Sequence, residues 1–127
     1  MKLFIIIACF ISLGLFNSIR AQDLKSFIPE GYSLLDSTSG DLNKDGLKDV
    51  VLILKNNLEE TRPDTTRPLL ILHGTKNKGY TLVARNDYAV LCQSCGGVFG
   101  DPYDNVVAKN NFFSVTYNVV IDEKQKV

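Results

Sequence analysis

Beyond residue 21 the chain carries short apolar runs separated by turn-forming residues. Tyr32 to Leu35, Val50 to Leu54, Leu69 to Leu72, Tyr80 to Ala84, Val106 to Ala108 and Phe112 to Ile121 are each rich in Val, Ile, Leu, Tyr and Phe. None sustains the roughly 3.6-residue period of a helix over ten or more positions, so the pattern predicts a mainly β protein, a small antiparallel sheet or sandwich. Antiparallel pairing follows from the short links. Val50 to Leu54 and Leu69 to Leu72 are continuous rather than alternating apolar runs, which places them centrally with both faces covered. Asn110-Asn111 predicts a tight hairpin turn because Asn tolerates positive φ, and Lys78-Gly79 precedes another strand in the same manner. Asp23 to Phe27 has room for one short helical turn, ended by Pro29. The polar stretch from Asn56 to Pro68, with Glu59, Glu60, Arg62 and Arg67, reads as a solvated, mobile connection.

The first stretch has a different character. Lys2 is followed by the apolar run Leu3 to Phe16, about 14 residues, and Ala21 precedes Gln22 as a signal-peptidase site requires. Residues 1–21 read as a secretory signal and 22–127 as one β-rich domain. The run is shorter than the roughly 20 residues a membrane-spanning helix needs, so no transmembrane anchor is expected after cleavage. Cys9 comes too early in the run for a lipoprotein acylation site. The expected destination is the periplasm or the extracellular space.

The chain has 14 Lys+Arg and 14 Asp+Glu over 127 residues, one His and no Trp. Without residues 1–21 it keeps 12 basic and 14 acidic residues, a net −2. There is no basic block, so nucleic acid is not an expected partner, and few side chains suited to hydrolytic catalysis are present. The two cysteines beyond residue 21, Cys92 and Cys95, would face an oxidising compartment, where pairing is expected. Cys92-Gln93-Ser94-Cys95 also has redox-motif spacing, but Gly96-Gly97 disfavours the helix that would lower a thiol pKa. As zinc ligands the pair has only His73 for company.

Asp41-Leu42-Asn43-Lys44-Asp45-Gly46-Leu47-Lys48-Asp49 sets oxygen side chains at positions 1, 3, 5 and 9, with Gly at position 6 where the chain must turn sharply. This predicts a Ca2+ loop at a β-hairpin. Asp41, Asn43, Asp45 and Asp49 would supply side-chain ligands and Leu47 its carbonyl. Position 12 is Leu52, within a predicted strand, so an EF-hand is excluded. The competing reading is a polar turn whose aspartates accept backbone hydrogen bonds. In Gly96 to Asp104 the expectation is a wide loop anchored in the core by Phe99, the alternative being an exposed Phe99/Tyr103 patch. The stretch lacks the Lys-Ser/Thr ending of a phosphate loop.

Gly40 to Leu52 resembles the calcium loop and following strand of FG-GAP/VCBS-type, integrin-like repeats. The resemblance implies calcium binding by Asp41, Asn43, Asp45, Leu47 and Asp49. Those repeats are commonly arranged in propellers, but only one copy stands here. From Tyr32 to Tyr117 the chain is also similar to a group of small exported bacterial proteins that bring no established activity with them. Members of that group continue through further aromatic strands, so the end at Val127 reads as a C-terminal truncation. Together these readings suggest a non-catalytic, calcium-stabilised module of the cell envelope whose partner is an envelope protein or glycan. The alternative is an envelope thiol-disulfide or hydrolytic enzyme using Cys92/Cys95 or His73.

Overall fold

The structure is a computed structural model that describes residues 23–118. The expected signal segment, Cys9, the Val119 to Ile121 end of the last predicted strand and the expected truncation lie outside the described residues. Among the described residues six strands form two antiparallel sheets. β1 (Tyr32–Gly40), β2 (Asp49–Asn56), β3 (Arg67–Gly74) and β4 (Tyr80–Val90) make a four-stranded sheet in sequence order, and β5 (Tyr103–Lys109) pairs with β6 (Phe112–Tyr117). The mainly β, small-sandwich architecture agrees with the apolar pattern.

The continuous apolar run of β2 is explained by what lies above and below it. Val50, Leu52 and Leu54 join Leu70 and Leu72 on one face, covered by Leu24, Phe27 and Ile28 around a 3-10 turn (Leu24–Phe27) and by Tyr32 and Tyr80. Val51 and Ile53 join Leu69 and Val90 on the other face, covered by Val106, Tyr103, Phe113 and Val115 of the second sheet. Period-2 alternation therefore buries every residue from Val50 to Leu54. Each such side chain contributes about 1.5–3 kcal/mol by leaving water.

Successive strands alternate in direction, so the β1–β2, β3–β4 and β5–β6 turns gather at one end of the sandwich. The longer β2–β3 and β4–β5 connections gather at the other. The two Asn- and Lys-containing turns form as expected, with Asn111 at φ 74° and Lys78 at φ 62°.

Three expectations need correction. The connection after β2 is not simply solvated: Glu59 and Arg67 are buried, because each neutralises the other. Phe99 does not anchor the loop before β5. It is 61% exposed at a tip flanked by positive-φ Gly97 and Gly100, and Pro102 and the Asp101–Arg67 ion pair fasten the segment instead. Helical turns do follow Cys92, as a 3-10 segment (Gln93–Phe99) broken at Gly97, where φ is 60°.

Candidate functional site

The predicted calcium loop is the β1–β2 turn, closed by the Gly40↔Asp49 pair at the end of the ladder. Its sharp bends come from positive φ at Lys44 (63°) and Gly46 (79°), the second at the glycine the spacing singled out. Backbone N–H groups then turn inward onto the acidic side chains. Gly46 donates to Asp41 Oδ2 at 2.8 Å, Asp45 to Asn43 Oδ1 at 3.3 Å and Leu47 to Asp45 Oδ1 at 2.9 Å. Asn43 Nδ2 donates to Asp45 Oδ2 at 3.1 Å.

The two outer aspartates differ. Asp49 has no exposed surface, and both its oxygens are engaged: Leu42 N–H donates to Oδ2 at 2.8 Å and Gly74 N–H to Oδ1 at 2.9 Å. It thus ties the loop to the far end of β3. The approach is so close that a Cβ at Gly74 would collide with the Lys48 carbonyl. Asp41 Oδ2 is engaged, but Oδ1 is buried with no hydrogen-bond partner. A buried carboxylate oxygen without a donor carries an unmet desolvation cost, which a cation would offset.

Among the described residues no three His, Cys, Asp or Glu side chains converge to hold a metal ion. Asp45 and Asp49 alike have both oxygens engaged, and each such oxygen keeps a second lone pair, so the loop's donor set is the carboxylates of Asp41, Asp45 and Asp49 with the Asn43 amide oxygen and the Leu47 carbonyl. Such all-oxygen sets suit a hard cation. Lys44 is exposed on the same loop, where it reduces the local negative charge. The loop end is further secured by Asn111, whose N–H donates to the Asp41 carbonyl at 3.0 Å and so joins the β5–β6 turn to it.

His73 is half-buried near the end of β3 and lines a mostly apolar hollow with Leu42, Ile71, Phe113 and Asn111. Cys92 and Cys95 are joined in a disulfide with Cα atoms 5.1 Å apart, at the opposite end from the acidic loop. The disulfide and the acidic loop therefore lie at opposite ends of the sandwich, with the β5–β6 turn beside the loop.

Two polar groupings were not singled out from the sequence. The first is Arg67, fully buried, with Nε 2.6 Å from Glu59 Oε1, a bidentate pair to Asp101 (2.8 and 2.6 Å) and Nη1 3.3 Å from the Leu91 carbonyl. Burial alone would lower the guanidinium pKa, but hydrogen bonds to Asp101 and Glu59 outweigh it and raise it. The same contact holds Asp101 below the usual carboxylate range. The second is on β1. Asp36 Oδ2 accepts from Tyr103 OH at 2.8 Å and from Val106 N–H at 3.4 Å, while Thr38 Oγ1 accepts from Ala108 N–H at 3.0 Å. Burial, then the hydrogen bond to Asp36, pushes the Tyr103 phenol up from its ordinary value. Polar residues at Asp36 and Thr38 were the available signal, since i and i+2 share a strand face.

No protein-family model, curated protein or solved structure matches this chain.

Proposed function

We infer that the chain is an exported β module stiffened by calcium, with a non-catalytic binding or structural role toward an envelope protein or glycan. The observation that carries the calcium reading is the buried Asp41 Oδ1, which has no hydrogen-bond partner, on a carboxylate whose other oxygen is already held by Gly46 N–H. Likeness to FG-GAP/VCBS-type loops supports the same reading. The signal-like pattern of residues 1–21 supports export, and the disulfide is compatible with it.

Calcium would be held by Asp41, Asp45 and Asp49 with Asn43 Oδ1 and the Leu47 carbonyl, the engaged carboxylate oxygens using their second lone pairs. With few carboxylates in the set, the affinity belongs with extracellular modules, about 10⁻⁴ to 10⁻³ M. At free calcium tenfold above the dissociation constant, binding adds about 1.4 kcal/mol to stability, a rise of several degrees in Tm for a domain near 100 residues. Magnesium should do much less, because it prefers a smaller octahedral shell and gives up water reluctantly.

The test is Tm in millimolar calcium, in magnesium and in chelator, for the parent and for Asp41→Asn. The amide can keep an oxygen toward Gly46 N–H while placing NH2 where Oδ1 stood. The expected result is a calcium-specific rise in the parent that is absent from the variant. Equal Tm in calcium and chelator for the parent would sink the reading.

A further inference from the structure

At the end of the sandwich away from the acidic loop, the β4–β5 connection runs as a strap over the buried Arg67. The strap spans residues 91–102 and carries the chain from one sheet to the other. The Leu91 carbonyl and the Asp101 carboxylate sit on the guanidinium near its two ends. Between them the Cys92–Cys95 disulfide closes a tight turn, reinforced by Cys95 N–H donating to the Cys92 carbonyl at 3.1 Å.

Ser94 lies inside that turn. Both its N–H and its hydroxyl donate to the Pro63 carbonyl at 3.1 Å, and Pro63 belongs to the β2–β3 connection. That connection carries Glu59, the third group on Arg67. A line of contacts thus runs from the disulfide through Ser94 and Pro63 to the loop that buries Arg67.

We propose that the Cys92–Cys95 disulfide is a redox latch: its reduction by a dithiol releases the strap and, through Ser94 and Pro63, loosens the 57–66 connection over Arg67. The chemistry is accessible from outside. Cys95 is exposed and Cys92 half-buried, and both line an open hollow of about 260 Å³ bordered by Tyr88, which is 86% exposed. A thiolate of the reductant attacks Cys95 Sγ, the S–S bond breaks, and Cys92 leaves as a thiolate that takes up a proton. The reductant's second thiol then attacks the mixed disulfide and releases Cys95. Two electrons and two protons pass to the protein, and the reductant closes its own disulfide.

The leaving sulfur also acts on the line of contacts. Cys92 Sγ is 3.6 Å from Ser94 Oγ, so the newly charged thiolate competes with the Pro63 carbonyl for the one hydroxyl proton. Hydrogen bonds to a charged acceptor are roughly twice as strong as neutral ones, which favours the sulfur. Reduction therefore removes the ring constraint that holds Ser94 under Pro63, and while Cys92 remains a thiolate its sulfur also competes for the Ser94 hydroxyl.

The test is amide hydrogen exchange, read by mass spectrometry, on oxidised protein, on protein held reduced in excess dithiothreitol, and on oxidised Ser94→Ala. The amides of Thr61, Arg62 and Thr65 are hydrogen-bonded within the 57–66 connection, and that of Glu59 to the Asn56 carbonyl at its start, so all four report on it. Exchange there should quicken at least tenfold on reduction and should move in the same direction in Ser94→Ala with the disulfide intact. Amides of β2 and of the three tight turns should be unchanged. Quickening confined to 92–96, equal quickening throughout β2, or parent-like exchange at 57–66 in Ser94→Ala would each overturn the latch.

Discussion

Arg67 shows what a single buried charge demands of its neighbours. Its side chain has no exposed surface, Glu59 is nearly as deep at 8%, and Asp101 keeps 38% of its side-chain surface in water. Removing the cation leaves Glu59 buried and uncompensated, whereas Asp101 can hydrate. Arg67→Met is therefore expected to cost about 3–5 kcal/mol in urea denaturation, with much of it recovered in Arg67→Met/Glu59→Leu, because losing one partner of a buried pair is worse than losing both. Asp101→Asn should cost less, about 1 kcal/mol, since water screens that contact. Asp101 also sets an acid dependence. Hydrogen bonding to Arg67 depresses its pKa in the folded protein, so its contribution is present above the unfolded value near pH ~4 and is lost as pH falls through the folded one. The acid limb of a stability–pH curve should flatten in Asp101→Asn, and an unaltered limb would assign acid sensitivity to other carboxylates.

Strands and turns follow different rules from single residues. Polar side chains on β1 take the place that a strand partner would have beside β5, with Asp36 and Thr38 accepting N–H groups from Val106 and Ala108. Tyr103 makes that junction sensitive to base. Its phenol pKa is raised in the folded state by burial and by Asp36, so folded protein holds the proton more tightly than the unfolded chain. The associated stability is present below the unfolded value of about 10 and declines as pH rises past it. Tyr103→Phe should remove that alkaline decline while lowering stability at neutral pH by about 1 kcal/mol for the lost hydrogen bond. A parent protein whose stability does not fall above pH 10 would contradict the assignment. The same elements show what sequence can carry. β2 and β3 were legible because unbroken apolar runs have few other uses, and the Asn111 and Gly46 turns because positive φ selects those residues. β1 and β4 were read too short, since Asp36 to Gly40 carries polar side chains that bond to β5 instead of apolar ones, and Arg85 to Ala89 is mostly exposed along the sheet edge. In the acidic loop the spacing identified the turn and its glycine. The engagement of Asp49 by Gly74 N–H could not be read, because it depends on a partner 25 residues away. The Arg67 cluster was hidden for the same reason, with Asp101 lying 34 positions along the chain.

Across the whole molecule the two ends are fastened by different means. Three tight turns meet around Asp41 and Asp49 at one end, while two long connections meet on Arg67 at the other. Between them β2 runs eight residues, roughly 25 Å at about 3.3 Å per residue, and its core is aliphatic on both faces. Groups this far apart with no shared partner should contribute independently, within about 0.3–0.5 kcal/mol, whereas members of one network should not. Asp49→Asn removes one of two acceptors from backbone donors at the turn end, and Asp101→Asn weakens the Arg67 cluster at the other. In urea denaturation their combined cost should equal the sum of the separate ones. Asp101→Asn combined with Arg67→Met should instead fall short of its sum by about 1 kcal/mol, because Arg67→Met has already removed the partner that Asp101→Asn weakens. Coupling above about 1 kcal/mol between the Asp49 and Asp101 variants, with the slope on urea unchanged, would show that the two ends communicate through the sheet and that the sandwich does not behave as two separately fastened ends on one core.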